Sequence, residues 1–176
     1  MKKQQINWII FLVTLVFLSL TILTFIPIKK ALVFEDPKTE NVLAYIPLSE
    51  EQTFKIKYTH SIHLSDVVES YMSTSDGQIK QYELMYEDFA IGMPSYASDS
   101  EIFEEKNGKY FLKNMNRVFP YFDLRIARVR ANHIVIFQNE EFPLLNYFEK
   151  GTRVRIKIEN LDLLQLLKGV NIIESK

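Results

Sequence analysis

The sequence predicts an all-β protein: an antiparallel β-sandwich or partly open barrel with one short C-terminal helix, preceded by a single N-terminal transmembrane helix. Three observations carry this expectation. Between Phe54 and Glu159, short segments alternate apolar and polar residues, the period-two mark of half-buried strands. Asp76-Gly77 and Asn107-Gly108 fall between such segments, and both dipeptides suit a tight hairpin turn that needs positive φ. Trp8 to Ile28 is an uncharged run dominated by Leu, Ile, Val and Phe.

At about 1.5 Å per helical residue, that run is long enough to cross a hydrocarbon core of about 30 Å. It is longer than the apolar part of a secretion signal, and no small-x-small cleavage site follows it. Residues 1–30 are therefore expected to be an uncleaved signal-anchor in the cell membrane, with residues 8–28 inside the bilayer. Lys2 and Lys3 precede the run and Lys29 and Lys30 follow it. The free amino terminus tips the balance toward a cytoplasmic N-terminus and an extracytoplasmic remainder. Residues 31–41 read as a tether broken by Pro37, and 42–176 as the extracytoplasmic β-domain, opening with a strand at Val42 to Ile46.

The hairpin from Phe54 to Tyr71 organises that domain. Phe54, Ile56, Tyr58, His60 and Ile62 alternate with Lys55, Lys57, Thr59 and Ser61. The lysines must face water, so His60 falls on the inner face. After the turn, Val67, Glu69 and Tyr71 share a face, which places Glu69 inside as well. A turn centred on Leu64-Ser65 would set His60 opposite Glu69 and Tyr58 opposite Tyr71. A turn centred on Asp76-Gly77 would set Tyr71 opposite Tyr82, Glu69 opposite Leu84 and Val67 opposite Tyr86, with Gln81 outside. A histidine and a glutamate inside an aromatic face each require a partner, and the economical solution is that they bond each other. Such a pair either locks strand register or lines a pocket.

Further strands follow. Ile102–Lys106 and Lys109–Asn114 flank Asn107-Gly108, and Phe122, Leu124 and Ile126 alternate with Asp123, Arg125 and Ala127. His133–Gln138 and Phe142–Phe148 surround Asn139-Glu140, with Pro143 marking the latter as an edge or irregular piece. Thr152–Glu159 alternates cleanly. Asn160 to Lys168 reads as the one helix of the domain, capped by Asn160 and stopped by Gly169. It is expected to close one end of the sandwich rather than to lie on a membrane.

Composition limits function. There is no cysteine, so thiol chemistry and disulfides are excluded. All 22 acidic residues lie beyond residue 34, whereas four of the 21 basic ones precede residue 31. The domain is thus net acidic, and no nucleic acid is expected as a partner. Phosphate-binding glycine loops, nucleophile elbows and zinc-protease helices are missing. No catalytic residue, metal or cofactor is assigned. The candidate binding residues are His60, Ser61, Glu69, Arg117 and His133, with Gly92 and Pro94 as candidate loop residues. Arg117 can hold a carboxylate ligand, or else pair with a surface acid or a backbone carbonyl. His60, Glu69 and His133 also make up the one candidate metal-binding or hydrolytic cluster, as an alternative to a binding domain.

Tyr58-Thr59-His60-Ser61-Ile62 followed by Val67-Val68-Glu69-Ser70-Tyr71 resembles the signature of the bacterial domain of unknown function 1850 (DUF1850). Gly92-Met93-Pro94, Arg117-Val118-Phe119-Pro120, Asn132-His133 and Gly151-Thr152-Arg153-Val154 continue the resemblance, which covers about residues 50–159. Ala90 stands where the family more often has glycine. The resemblance supplies no established activity. Members are often encoded beside tripartite transporters of the TAXI type, which implies an envelope accessory protein with a transporter component or small solute as partner. A non-enzymatic, membrane-anchored binding domain is the expectation.

Overall fold

The computed structural model describes residues 2–49, 52–62, 64–88, 93–98, 100–127 and 132–175. Helix α1 (Lys2–Thr24) is followed by strands β1 (Lys29–Glu35), β2 (Val42–Pro47), β3 (Thr53–Thr59), β4 (Asp66–Ser73) and β5 (Ile79–Tyr86). Next come β6 (Ile102–Lys106), β7 (Lys109–Phe119), β8 (Tyr121–Arg125), β9 (Ile134–Phe137) and β10 (Glu140–Pro143). A 3-10 turn at Leu144–Asn146, β11 (Arg153–Leu161), helix α2 (Leu163–Lys168) and β12 (Val170–Asn171) complete the chain.

Two open sheets pack face to face. The smaller has the order β12-β2-β1-β11-β8 and the larger β10-β9-β3-β4-β5-β7-β6. Nearly all pairings are antiparallel; β12 runs parallel to β2. The main core lies between the sheets, where Leu32, Phe34, Ile156 and Ile158 meet Phe54, Ile56, Val135 and Phe137. A second core of Val67, Leu84, Tyr86, Leu112 and Met115 contains no residue of the smaller sheet, and Met93 and Ala97 pack against it. Ala31, Val33, Tyr45 and Leu161 form a third cluster, against which Leu166 of α2 packs.

Helix α1 is exposed from Gln4 to Leu23 and is long and apolar enough to cross a membrane. It ends at Thr24, short of the expected Ile28. The expected tether at 31–41 is not one. Ala31 to Phe34 are fully buried, and β1 is the middle strand of its sheet. Its alternate residues enter the main core and the third cluster, so the strand reads as a plain apolar run with no alternation to betray it. Asp36 then turns the chain, its Oδ1 accepting from the amides of Lys38 at 2.8 Å and Thr39 at 3.0 Å. Four residues alone, Phe25–Ile28, separate α1 from the sheet.

The β3–β4 hairpin keeps the expected faces but not the expected register. Tyr58 pairs with Val67 and Phe54 with Tyr71, so Ile56, not His60, lies opposite Glu69. The connection is closed at His60 and Ser65 rather than centred on Leu64-Ser65. His60 N donates to Ser65 O at 2.8 Å, and Leu64 takes φ 56°. The next hairpin holds two irregularities that cancel. Thr74 N donates to Gln78 O at 2.9 Å and Gly77 N to Thr74 O at 3.2 Å, with Gly77 at φ 78°, a three-residue loop where two were expected. This shifts the register by one, so that Tyr71 pairs with Gln81 and Gln81 is buried. A bulge between Ser70 and Tyr71 then restores the expected partners Glu69–Leu84 and Val67–Tyr86.

The later elements follow the sequence more closely. Asn107 and Gly108 both have positive φ, and β10 is an edge strand. Helix α2 is shorter than expected. Asp162, not Asn160, caps it through a reciprocal pair: Gln165 N to Asp162 Oδ1 at 2.8 Å and Asp162 N to Gln165 Oε1 at 2.9 Å. Asn160 belongs to β11.

Candidate functional site

Glu69 interrupts an apolar row. The ladders align Val135, Ile56, Glu69, Leu84 and Leu112 across the inner face of the larger sheet. Val135 and Ile56 belong to the main core, Leu84 and Leu112 to the second, so the carboxyl sits at the seam between them. Tyr58 packs against both cores. A carboxylate at such a place needs donors, and two tyrosines supply them. The Tyr71 hydroxyl donates to Glu69 Oε2 at 2.7 Å, and the Tyr58 hydroxyl lies close enough to act on the same carboxyl. The Tyr71 ring is stacked between Phe54, at a centroid distance of 5.3 Å, and Phe122 of β8, at 5.2 Å.

Burial raises the pKa of Glu69, and the bonds from Tyr71 and Tyr58, with the nearby charge of Arg117, act in the opposite direction. Burial, followed by the Glu69 charge, also pushes both tyrosines far above their ordinary range. They therefore stay protonated and act as donors.

A bulge brings Arg117 to this seam. Gln81 pairs with Arg117 and Glu83 with Lys113, so β7 carries extra residues opposite β5. Asn114 takes φ 58° there and donates from Nδ2 to Ser100 O at 2.8 Å, while Met115 is buried in the second core. The bulge changes which β7 residue faces Gln81 and so places Arg117 on the side shared with Tyr71. The Arg117 Nη2 donates to Glu101 Oε1 at 3.2 Å. Glu101 also accepts from the Ser98 amide at 3.1 Å, and the Ser98 bonds, then Arg117, hold its carboxyl below the usual range.

Arg117 and Glu101 line a cleft of about 440 Å³ together with Met93–Tyr96 and Ser98. The Tyr86 hydroxyl donates to Pro94 O and ties this segment to the second core. Tyr96 stands largely in solvent beside the cleft.

The structure brings together only part of the expected residue set. Glu69 and Arg117 interact, and Pro94 lines the cleft beside Arg117. His133 joins through Tyr58, the two rings lying 5.7 Å apart. Among the described residues its Nδ1 has no hydrogen-bond partner, and burial lowers its pKa, which favours the neutral imidazole. His60 is in the turn, where its Nδ1 accepts from the Ile62 amide at 3.4 Å, and the expected cross-strand pairing with Glu69 is not formed. Ser61 is exposed in the same turn. Gly92 lies outside the described residues. Among the described residues, no three of His, Asp and Glu come together as a metal-binding group, so the His60/Glu69/His133 cluster is not assembled.

The sequence places Tyr58 and Tyr71 on the inner face, names Phe122 only as a strand residue, and gives no role to Glu101 or Tyr96. Tyr71 carried a usable signal, because it lies two residues from Glu69 on the same strand face. Glu101 carried none, since its proximity to Arg117 depends on the β7 bulge.

Residues 54–144 match the family model described as "Domain of unknown function (DUF1850)". No curated protein and no solved structure is similar enough to match.

Proposed function

The chain belongs to the DUF1850 family, and on that premise we propose that it is a membrane-anchored binding domain outside the cytoplasm, not an enzyme, which serves a membrane transporter as an accessory. The matched segment contains Tyr58, Glu69, Tyr71, the 93–98 segment, Arg117 and His133, the whole of the seam and the cleft. Helix α1 supports the anchor. The link to a transporter rests on the family resemblance alone.

One observation carries the binding function. Among the described residues, Arg117 stands at the cleft with one side-chain hydrogen bond, to Glu101, although a guanidinium offers five N–H donors in a planar fork. A carboxylate is the group that such a fork matches. The cleft volume of about 440 Å³ lies within the range of small-molecule sites. The ligand is therefore a small solute bearing a carboxylate, with Tyr96 and Met93 supplying apolar contact.

The test is native mass spectrometry of the full-length protein released from its own membranes. Wild type is expected to retain a small anionic adduct. Arg117→Ala is expected to lose it by about tenfold or more, the scale of one charge-assisted contact. An adduct equally retained by Arg117→Ala, or no adduct with wild type, overturns the proposal.

A further inference from the structure

The short link between α1 and the sheet fixes where the domain must sit. Phe25–Ile28 reach at most about 14 Å when fully extended, and Ile28 N donates to Leu161 O at 2.9 Å. Leu161 ends β11, and α2 begins two residues later at Leu163. Helix α2 therefore starts close to the point where α1 leaves its apolar surroundings. Phe25, one residue past α1, lines a recess with Leu164, Gln165 and Lys168 of α2.

Helix α2 is apolar on more than one side. Leu166 packs against the third cluster, and the reciprocal cap at Asp162 and Gln165 fixes the start of the helix. Leu163 and Leu167, four apart and so on one face, are 41% and 74% exposed, and Val170 just beyond is 43% exposed. Ile26 and Ile28 of the link are exposed as well. Exposed apolar residues thus occur on α1, the link and α2, while Glu40, Asn41, Asp162, Gln165 and Lys168 border the recess between the link and α2.

We infer that α2 seats the domain on the lipid bilayer, with Leu163, Leu167 and Val170 embedded at the interface beside the exit of α1. This rests on the membrane reading of α1. Continuity with that helix selects lipid as the occupant, and the exposed Lys29 and Lys168 lie next in sequence to the exposed Ile28 and Leu167. A second copy of the chain is the rival occupant. The consequence is orientation: the domain lies against the membrane on its α2 side instead of swinging on a tether.

The experiment uses the full-length protein in phosphatidylcholine nanodiscs whose lipids are brominated on the upper acyl chain, which quenches tryptophan by contact. Trp8 is the single native tryptophan, so wild type reports on α1. Leu167→Trp and Tyr96→Trp, each in a Trp8→Phe background, report on α2 and on a site away from it. Quenching of Trp8 and of the L167W indole, with Y96W unaffected, is the expected result. Quenching of Trp8 with L167W as bright as Y96W overturns the seating and leaves the anchor intact. A bright Trp8 overturns the anchor and the seating together. A blue-shifted but unquenched L167W whose emission changes with the number of chains per disc assigns the face to a second copy and also overturns the inference.

Discussion

Tyr71→Phe removes one hydroxyl and leaves the ring to stack between Phe54 and Phe122. The lost bond is the 2.7 Å donation to Glu69 Oε2. A hydrogen bond to a charged group contributes about 1.5–3 kcal/mol, and Y71F is expected to lose that much stability at neutral pH. For a domain of this size 1 kcal/mol moves the melting midpoint by about 2–4 °C, so the midpoint should fall by about 3–12 °C. The pH dependence is the sharper signature. Burial raises the folded-state pKa of Glu69, so the native protein holds that proton more tightly than the unfolded chain does. The resulting stability is fully present below the unfolded pKa and is lost as pH rises through the folded one. Without the Tyr71 donor the charged form is harder to carry, so the deficit of Y71F widens toward neutral pH. In acid only a bond to a neutral carboxyl is missing, worth about 0.5–1.5 kcal/mol. Thermal unfolding of the full chain in detergent micelles, followed by far-ultraviolet circular dichroism, measures both. A deficit of the same size at every pH, or none, would refute the reasoning.

Three further outcomes are expected in the same assay. Leu32→Ala should cost about 2–5 kcal/mol as a cavity in the main core, whereas a tether residue would tolerate the change without effect. Gly169→Ala should cost about 1–3 kcal/mol, because its Cβ would meet Val42 Cγ1 at 2.8 Å and Tyr45 Cδ1 at 3.0 Å; an unshifted midpoint would mean that α2 does not approach β2 so closely. His133 is held below its ordinary pKa of 6.5 by burial. Wild type should therefore lose stability as pH falls below the unfolded histidine value and through the lower folded one. His133→Phe should flatten that limb of the profile, and an unchanged limb would count against a buried neutral imidazole.

Much of the fold is legible in the sequence because period two marks which side of a strand is buried. Phe54, Ile56, Val67, Glu69 and Tyr71 all face the predicted side. Register is less legible, because shifting each strand by two residues leaves every face unchanged. The connection closed at His60 and Ser65 makes that shift and moves His60 away from Glu69. Strand β1 escaped because both of its faces are covered, and Ala31-Leu32-Val33-Phe34 then reads as a bare apolar run. Glu69 was found because a charged residue on an apolar face demands an explanation. Its true partners, Tyr58 and Tyr71, resemble ordinary core residues until their hydroxyls are seen to converge. Arg117 was named from its chemistry, but its place depends on the Asn114 bulge, which no local pattern announces.

The central claim is that an ionisable carboxyl, Glu69, is held at the seam of two cores by tyrosine hydroxyls beside Arg117. A carbon-13 NMR titration of the Glu69 side-chain carboxyl in the full-length protein tests it most directly. The midpoint should lie above the ordinary value of 4.5 and rise further when Tyr58 and Tyr71 are both changed to phenylalanine. A midpoint at or below 4.5, unmoved by loss of the two hydroxyls, would contradict it.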